Sequence, residues 1–294
     1  MSLIVSTLCL FAASARIVVF GDAQFDRGVR KNLRGEDPAP LFASTQALRD
    51  SIDVAMVNLE TPLCDSTLPA QVKTYSLRSS PAFARGLARA RFTHAILANN
   101  HVMDRGLEGL RQTIHALTQA GVATVGASVA GDPCMPVLAH EGTDSVALFA
   151  VAVLPGIDGR HVCSDPDLVA NRISALARRG APSVVSLHWG SEYDPVASAA
   201  QVVLAKRLIM AGAAAIVGHH AHVVQAPSGT VAQPTWVDGR PVWYGIGNFV
   251  FDQYQPWTSR ALVAKFVIEH GAVRSETIEL RRAGPRVEVV GKVR

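Results

Sequence analysis

Residues 94–121 read HAILANNHVMDRGLEGLRQTIHALTQAG and form the clearest strand-to-helix unit of the chain. A short apolar run is followed by a segment in which apolar residues recur at helical spacing. Asp104 is a good N-cap for that helix, and Gly121 supplies its C-terminal stop. The stretch therefore predicts a buried β-strand that leads into an α-helix starting near Asp104. The residues on the apolar face of this helix are Leu107, Leu110, Ile114 and Leu117.

The same alternation of short apolar runs and longer helical segments recurs along the chain. That pattern is typical of β-α units around a mostly parallel sheet, so it predicts an α/β fold. From Arg260 onward apolar and polar residues alternate instead, which predicts antiparallel strands around a turn near Gly271. Neither an internal repeat nor a linker interrupts the pattern, so we expect one domain. Further helices are predicted at Leu41–Asp50, Pro81–Ala90, Asp165–Arg178 and Val196–Ala211.

The composition describes an ordered globular protein. Of the 294 residues, 49% are hydrophobic and 18% are charged, which excludes a disordered or fibrous chain. A chain of this length buries ~75% of its unfolded surface, enough for one large core without disulfides. The net charge of +4 comes from 28 basic and 24 acidic residues, and the basic residues form no long run. We therefore expect no nucleic-acid partner.

The cysteines suggest no covalent framework. Cys9, Cys64, Cys134 and Cys163 show neither CxxC spacing nor the density of a disulfide-stapled secreted domain. We therefore expect buried or idle thiols.

The N-terminus allows two interpretations. Residues Leu3–Ala13 form an apolar run as long as the core of a signal peptide, and Ala13-Ser14-Ala15 resembles a cleavage site. No Lys or Arg precedes the run, and an extra edge strand explains it equally well. A signal peptide predicts a protein of the cell envelope, periplasmic or extracytoplasmic, whereas a strand predicts a cytoplasmic protein. We therefore separate residues 1–15 from a single domain spanning residues 16–294.

Polar side chains with metal-binding or hydrogen-bonding groups follow the apolar runs. RIVVFGD ends in Asp22, HAILANNH ends in His101, and SVVSLHWG contains His188 near its end. Because the carboxyl ends of parallel strands lie along one edge of a sheet, residues far apart in the chain can converge in one crevice. We expect the functional site there. The strand-end residues are Asp22, Asn58, Glu60, Asn99, Asn100, His101, His188, His219, His220, His222 and Asn248.

This donor set suits a divalent transition metal. Carboxylate, imidazole and amide oxygen together favour Zn, Mn or Fe, whereas Ca calls for an all-oxygen shell. Glu60 has two oxygens and can bridge two ions ~3.5 to 4 Å apart, with a bridging hydroxide as the nucleophile of an in-line displacement. His220 and His222 are two positions apart and can serve one ion each, which leaves His219 facing away.

Each of these residues also has an ordinary structural explanation. Asp22 can form a turn or cap a helix, and Asn58 and Asn99 can make Asx-turns. His188, which precedes a tryptophan, can be a hydrogen-bonded core histidine. The three imidazoles between positions 218 and 222 are harder to explain this way, because buried imidazoles need a ligand or a partner.

Two arginines lie just past site-forming strand ends. Arg27 and Arg105 are either ordinary surface charges or clamps for an anionic group. Together with Asn58, they are our candidate substrate-binding residues.

Six motifs, taken in order, resemble those of a known family. They are GDAQFDRG (21–28), VNLETPL (57–63), ANNHVMDRGLEGL (98–110), LHWGSEY (187–193), GHHAHVVQ (218–225) and YGIGNFVFDQ (244–253). Each motif alone is weak evidence for a family, but six motifs in the same order are specific evidence. The chain resembles the CapA family of bacterial poly-γ-glutamate capsule synthesis proteins, from about Arg16 to about Asp252. The fold of that family is similar to that of the calcineurin-like metallophosphoesterases.

The resemblance implies an architecture and a site. The fold would be a four-layer α-β-β-α sandwich of two mixed sheets, holding one or two divalent transition-metal ions (Mn, Fe or Zn). His101 matches the general acid that protonates the leaving group, and Asp104 either orients it or caps its helix. The role of Asn248 does not follow from the resemblance. The metal ligands implied are Asp22, Glu60, Asn100, His188, His220 and His222.

Two positions depart from the phosphoesterase pattern. Gln24 stands where that pattern has a histidine two residues after the first aspartate, and Glu60 stands where an aspartate is usual. One metal site is therefore short of an imidazole. The chain would bind either a single ion tightly or a second ion loosely.

Three functions are compatible with these residues. The first is a metal-dependent hydrolase of the phosphoester class, acting on an anionic small molecule or polymer with a metal-bound hydroxide as nucleophile and His101 as general acid. The second is a non-catalytic accessory subunit of a poly-γ-glutamate synthesis or export complex, with membrane-bound synthase subunits as partners. The third is an amidohydrolase that cuts γ-glutamyl links with the same centre.

Overall fold

Buried apolar runs form the strands of the computed structural model, which describes residues 14–33, 38–139, 145–229, 234–269, 271–284 and 286–293. The first strand already includes Ser14 and Ala15, which pair with Glu269 and Ile268. Residues 3–13 and Cys9 lie outside the described residues, so the signal peptide or edge strand stays a prediction. None of the helices in these ranges is long and apolar enough to cross a membrane.

Strands and helices alternate through the first two thirds of the chain, as the periodicity predicts. The strands are β1 (Ser14–Ala23), β2 (Val54–Leu59), β3 (His94–Ile96), β4 (Ala123–Val125), β5 (Val137–Ala139), β6 (Val146–Val153), β7 (Ser183–Trp189), β8 (Ala213–His219), β9 (Val224–Gln225), β10 (Thr235–Val237), β11 (Arg240–Trp243), β12 (Gly245–Ile246), β13 (Asn248–Val250), β14 (Arg260–Glu269), β15 (Ala272–Ala283) and β16 (Arg286–Lys292). The α-helices are α1 (Arg27–Lys31), α2 (Phe83–Arg89), α3 (Gly106–Gln119), α4 (Pro166–Ala177) and α5 (Ala199–Met210), and 3-10 helices span Ala39–Leu41, Ala43–Arg49 and Pro256–Thr258.

Two mixed sheets carry most of these strands. The first has the order β16-β15-β14-β1-β2-β3-β4, and β13 also pairs with β1. Strands β1 to β4 of this sheet are parallel, while β14, β15 and β16 are antiparallel. The second has the order β10-β11-β8-β7-β6-β5, with a parallel centre and antiparallel edges. The predicted mixed sheets and C-terminal antiparallel strands are confirmed.

The two sheets pack face to face, and helices cover their outer faces. Along β7, Val184 joins the apolar cluster between the sheets, whereas Val185 and Leu187 join a second cluster with α4 and α5. Helices α2 and α3 pack on the other sheet through Leu87 and Leu110. Alternate residues of one strand therefore serve two layers, as the period of a strand requires. The four-layer α-β-β-α sandwich is confirmed.

Most predicted helices are present, with differences at their ends. Helix α3 begins at Gly106 with Arg105 as N-cap, so Asp104 does not cap it. The Asp104 carboxylate instead accepts the Leu77 backbone N–H at 2.6 Å. Helix α4 has the expected start, because the Asp165 side chain accepts two of its first backbone N–H groups. The predicted helix at residues 41–50 is a 3-10 segment instead.

The expectation of idle thiols is wrong for two cysteines. Cys134 and Cys163 form a disulfide with a Cα–Cα distance of 4.7 Å. Spacing along the sequence does not reveal this pair, because the backbone bonds that hold Cys163 beside Ala152 and Gly126 form only in the folded chain. Among the described cysteines, only Cys64 is a free and buried thiol.

Two glycines allow an unusually close approach of backbone at the site edge of the sheets. A Cβ atom at Gly21 would lie 1.9 Å from the carbonyl oxygen of Gly247. A Cβ atom at Gly218 would lie equally close to the carbonyl oxygen of Tyr244. Each glycine precedes strand-end residues of the candidate site, so this packing fixes where those residues lie.

Candidate metal centre

The strand-end residues of both sheets converge at one place. The first sheet contributes Asp22 at the end of β1 and Glu60 and Asn100 just after β2 and β3. The second sheet contributes His188 in β7 and the loop after β8. In that loop His220 and His222 adopt left-handed backbone angles, with φ of 85° and 58°. Such angles are strained for residues other than glycine and cluster at functional sites.

Six predicted metal ligands lie in two groups that share one carboxylate. Glu60, His188 and His220 have ligand atoms within 4.8 Å of one another, and so do Asp22, Glu60 and His222. The Nε2 atoms of His188 and His222 lie 3.7 and 3.9 Å from Glu60 Oε1. Asn100 joins the first group, because its Oδ1 atom lies 2.9 Å from His188 Nε2. Glu60 is therefore the residue common to both groups of ligand atoms.

Glu60 itself gives a test of whether these residues suit an ion. Its side chain is fully buried, and neither carboxylate oxygen has a hydrogen-bond partner among the described residues. Burial raises the pKa of Glu60 well above its ordinary value, although the nearby His222 lowers it in part. A buried carboxylate with no donor is costly unless a cation pairs with it. The residues present therefore fit a divalent ion.

The imidazoles of the first group are in the state that a metal requires. Burial lowers the pKa of His188 well below its ordinary value and lowers that of His220 to about 4. Both rings are therefore neutral at neutral pH, and only a neutral imidazole has the lone pair that a metal ligand needs. The Nδ1 atom of His220 is buried and has no hydrogen-bond partner among the described residues, as a vacant ligand atom would.

Asp22 is held as a carboxylate. Burial alone raises its pKa, but contacts with His219 and His222 outweigh burial and keep the pKa well below its ordinary value. Its Oδ2 atom also accepts the backbone N–H of His220 at 3.2 Å. His219 does not face away as predicted, because its Nδ1 atom lies 3.3 Å from Asp22 Oδ1. The reason is the alternation along β8, in which Ala215 and Val217 face the apolar cluster between the sheets and His219 continues the same face.

Asn248 orients His222, a role that sequence reasoning missed. Its Oδ1 atom lies 2.9 Å from His222 Nδ1, and an amide oxygen only accepts, so the imidazole donates from Nδ1. Its Nδ2 atom donates to Gln253, which in turn donates to the Tyr193 hydroxyl. This chain leaves His222 Nε2 facing Glu60. A strand-end asparagine was the only signal of the role in the sequence.

Asn58 supports the ligands rather than a substrate. It is fully buried, and its Nδ2 atom donates to Asp22 Oδ1 at 2.7 Å and lies 3.3 Å from His188 Nδ1. Its Oδ1 atom accepts from Asn99, whose own side chain accepts the backbone N–H groups of the next turn. The structure therefore gives Asn58 a positioning role in place of the predicted substrate contact, because it lies behind the ligands.

His101 faces the centre with Asp104 behind it. The Nδ1 atom of His101 lies 2.7 Å from Asp104 Oδ2, and its Nε2 atom lies 4.0 Å from Glu60 Oε1. Asp104 is in turn paired with Lys73. Burial lowers the pKa of His101, and Asp104 raises it in part. Of the two predicted roles for Asp104, the geometry fits orientation of the imidazole.

A cavity of about 500 Å³ opens onto the centre. His101 and His222 form its inner end, and Glu192 lies beside them. Aromatic and amide side chains form most of the remaining wall, and the volume can take a ligand much larger than a phosphate group. The remaining lining residues are Arg27, Tyr75, Leu77, Tyr193, Phe251, Asp252, Gln253, Tyr254 and Gln255.

The two candidate arginines have different positions. Arg27 lines the cavity, where it pairs with Asp252 at 2.6 Å and lies over the Tyr75 ring. Arg105 instead donates to three backbone carbonyls, those of Leu68, Ser76 and Leu77. Arg105 therefore braces a loop in place of the predicted anion contact, because its donors are already engaged.

Gln24, at the departure from the phosphoesterase pattern, is turned away from the ligands. Its Nε2 atom donates to Asp252 at 2.9 Å, and its Oε1 atom accepts the backbone N–H of Asp26 at 2.6 Å. Both ends of this buried amide are therefore occupied.

Comparison with known proteins places the chain in a family. Residues 16–253 match the model of the family described as "Bacterial capsule synthesis protein PGA_cap". The chain belongs to this family. It is 28% identical over 282 residues to the PGA biosynthesis protein CapA of Bacillus subtilis, which covers 90% of this chain and 71% of that protein. The resemblance found in the six motifs is thereby confirmed.

Other relatives carry related names. The chain is 28% identical over 285 residues to the capsule biosynthesis protein CapA of Bacillus anthracis, covering 90% of this chain and 66% of that protein. It is 31% identical over 222 residues to a probable polyglutamine synthesis accessory protein of Mycobacterium tuberculosis. This match covers 68% of this chain and 56% of that protein. The chain thus spans roughly half to two thirds of the length of these two relatives.

A solved structure supports the fold. A phosphatase from Mycoplasma pneumoniae superimposes with a TM-score of 0.59 over 93% of this chain and 96% of that one, at 10% sequence identity. At this identity the likeness concerns the fold alone.

Proposed function

We propose that the protein is a metal-dependent hydrolase of the phosphoester class that acts in bacterial poly-γ-glutamate capsule synthesis. One observation carries the proposal: Glu60 is a buried, unpartnered carboxylate shared by two groups of metal-ligand atoms. A single structural histidine or a capping carboxylate would not need this arrangement. The family to which the chain belongs and its relatives' names support the pathway.

Named residues would hold the ions. Glu60, Asn100, His188 and His220 would hold one, and Asp22, Glu60 and His222 would hold the other. Mixed nitrogen and oxygen donors favour Mn, Fe or Zn. When bound, such ions supply Lewis-acid activation of a water and of the scissile bond.

His101 would protonate the leaving group. Its Nε2 atom faces the cavity next to Glu60, where a leaving-group oxygen would lie, and Asp104 holds the other ring nitrogen. With one proton on Nδ1 held by Asp104, the imidazolium form would carry a second proton on Nε2, and this proton can pass to that oxygen as its bond to the reacting atom breaks, which leaves the ring neutral. The cavity behind the reacting centre would take the leaving group.

The test measures metal content and turnover together. Purified protein should contain Mn, Fe or Zn and hydrolyse an aryl phosphate, and His188→Ala and His222→Ala should abolish both. His115→Ala is the matched control, because His115 is exposed on α3 and is not one of the candidate ligands. A wild-type protein with neither metal nor turnover refutes the proposal. Including γ-glutamyl peptides in the substrate panel distinguishes an amidohydrolase from a phosphoesterase.

A second candidate is a non-catalytic accessory subunit of a poly-γ-glutamate synthesis or export complex. Two observations favour it: one relative is named an accessory protein, and the Gln24 side chain is engaged away from the ligands. Cells lacking the wild-type protein should then still make polymer when supplied with His101→Ala or Glu60→Gln variants. Loss of polymer at normal protein levels favours catalysis instead.

We further propose a location in the cell envelope. The disulfide between Cys134 and Cys163 supports it, because such bonds form and persist in oxidising compartments. Protein from its native cells, denatured and alkylated, should gain two reactive thiols on reduction. An unchanged thiol count would place the protein in a reducing compartment.

A further inference from the structure

The two ion positions are unequally supplied with ligands. Four side chains surround one position, namely Glu60, Asn100, His188 and His220. Only three surround the other, namely Asp22, Glu60 and His222. Gln24 does not complete the second group, because both ends of its amide are engaged elsewhere.

Glu192 is a carboxylate beside the incomplete group that has no assigned role. It lies in the loop after β7 and lines the cavity at the same end as His222. Its Oε1 atom lies 4.0 Å from His222 Nε2. No Lys or Arg among the described residues pairs with it, and the base beside it is His222 itself.

The backbone holds Glu192 beside the ligand loop. The next residue, Tyr193, donates its backbone N–H to the carbonyl of Ala221 at 2.8 Å, which joins the loop after β7 to the loop after β8. Ala221 lies between His220 and His222, so the two loops are fixed together at the ligands. Movement of the Glu192 backbone away from the centre would break this bond.

We propose that Glu192 is a ligand of the ion held by Asp22, Glu60 and His222, in place of the imidazole that Gln24 does not supply. The inference rests on the metal centre of the proposed function. Two ligand atoms on one ion, each ~2.0 to 2.2 Å from it, lie at most ~4.4 Å apart. The 4.0 Å separation from His222 Nε2 satisfies this limit. With 42% of its side chain exposed, Glu192 has the rotamer freedom to approach the other ligands.

The proposal makes the two ion positions chemically different. One would have carboxylate oxygens from Asp22, Glu60 and Glu192 with a single imidazole. The other would have two imidazoles with one carboxylate and one amide oxygen. Oxygen-rich sites suit Mn, whereas imidazole suits Zn and Fe. The position next to the cavity would therefore select Mn.

The test counts ions in the full chain. Protein stripped with a chelator is titrated with Mn²⁺ by calorimetry, and electron paramagnetic resonance detects a spin-coupled ion pair. Wild type should bind two ions, and Glu192→Gln should weaken one of them at least tenfold and remove the coupled signal. Glu192→Asp, which keeps the charge, should lie between the two.

Asp194→Asn is the matched control, because it removes the same charge from the same loop and keeps an oxygen that can accept the Val196 N–H. It should bind Mn²⁺ like the wild type. Equal melting temperatures of the metal-free variants show that each is folded. Two ions bound by Glu192→Gln with wild-type affinity would overturn this inference and leave the metal centre intact. A wild type that binds no ion would instead overturn the proposed function itself.

Discussion

His222 lies between two carboxylates that change its protonation. Burial alone lowers the pKa of His222, but Glu60 and Asp22 outweigh burial and raise it to about 9. The ring of the metal-free protein therefore carries a proton at neutral pH. A metal needs the neutral ring, because imidazolium has no free lone pair. An ion that binds at His222 must therefore displace a proton.

This displacement predicts a pH dependence of metal affinity. We expect affinity at the Asp22 group to rise with pH and to level off above about 9, where His222 is already neutral. Calorimetric titrations in two buffers of different ionisation enthalpy measure the released proton. The release should disappear above the pKa of His222. Affinity that does not change between neutral and alkaline pH would contradict the prediction.

His94, in β3, gives a prediction about stability. Burial lowers its pKa to about 4, whereas an unfolded histidine titrates near ~6.5. The unfolded chain therefore takes up the proton first as the pH falls, so stability that is complete above ~6.5 is lost progressively towards pH 4. The loss from this residue is about 3 kcal/mol in total.

Urea denaturation at several pH values tests the contribution of His94. The His94→Gln variant should show a shallower fall in the free energy of unfolding between neutral pH and pH 5 than the wild type. His115→Gln changes an exposed histidine and should keep the wild-type slope. Identical slopes for all three proteins would show that His94 is not protected from protonation in the folded state.

Sequence alone located most of the residues that meet at the centre, but not what each contacts. Asp22, Glu60 and His188 were predictable because they follow buried strands, and strand ends share an edge. The roles of Asn58 and Arg105 were not, because they depend on side-chain direction in the finished packing. The strand-end pattern did not identify Glu192 as a candidate ligand, because this residue lies in the loop after β7.

Gly21 makes a prediction at the level of strands. In β1, a Cβ atom at this position would lie 1.9 Å from the carbonyl oxygen of Gly247, just before β13. Gly21→Ala should therefore force the two strands apart, at a cost of about 1 to 3 kcal/mol or more in the free energy of unfolding. It should also weaken metal binding, because Asp22 is the next residue.

Thermal denaturation and metal titration of Gly21→Ala test this expectation. Gly159→Ala is the control, since its added methyl group would meet only the Ser164 side-chain hydroxyl, which can rotate away. The control should change neither property. Equal effects of the two substitutions would mean that the close approach of β1 and β13 does not position the site.

Element types were predictable where the pattern was long and regular. Helices α3, α4 and α5 carry a clear apolar period, and the C-terminal strands a clear alternation. The segment at Ala43–Arg49 has a similar period but forms a 3-10 helix, in which Arg49 is buried and bonds the Phe42 carbonyl. Short strands such as β9 and β12 are too brief to show a period. The disulfide was missed because its cysteines meet only in the folded chain.

For the whole molecule, the division of the ligands between the two sheets has an energetic consequence. Asp22, Glu60 and Asn100 belong to one sheet, while the three histidines belong to the other. An ion that binds only the folded protein stabilises it by about 2.7 kcal/mol at a concentration 100 times its Kd. We therefore expect a chelator to lower the melting temperature.

Differential scanning calorimetry with Mn²⁺ and with a chelator measures this shift. His188→Ala should melt at a temperature that responds less to the metal, whereas His115→Ala should respond like the wild type. A wild-type melting temperature that is the same in both conditions would show that no ion joins the sheets.

The fold class followed from periodicity, but the number of sheets did not. Parallel strands buried on both faces read as continuous apolar runs, and such runs look alike in one sheet or in two. Only the resemblance to a known family predicted two sheets packed face to face. Along β7, Val184 faces one apolar cluster and Val185 the other. This alternation indicates two packed layers only when the residues that each side chain contacts are known.

Because neither sheet alone carries all the candidate ligands, metal binding and folding must occur in a particular order. An ion has no complete site until the two sheets have docked, which is a late step for strands distant in sequence. Interactions absent from the transition state alter the unfolding rate and leave the folding rate unchanged. Bound metal would then slow the unfolding of the native chain without speeding its folding.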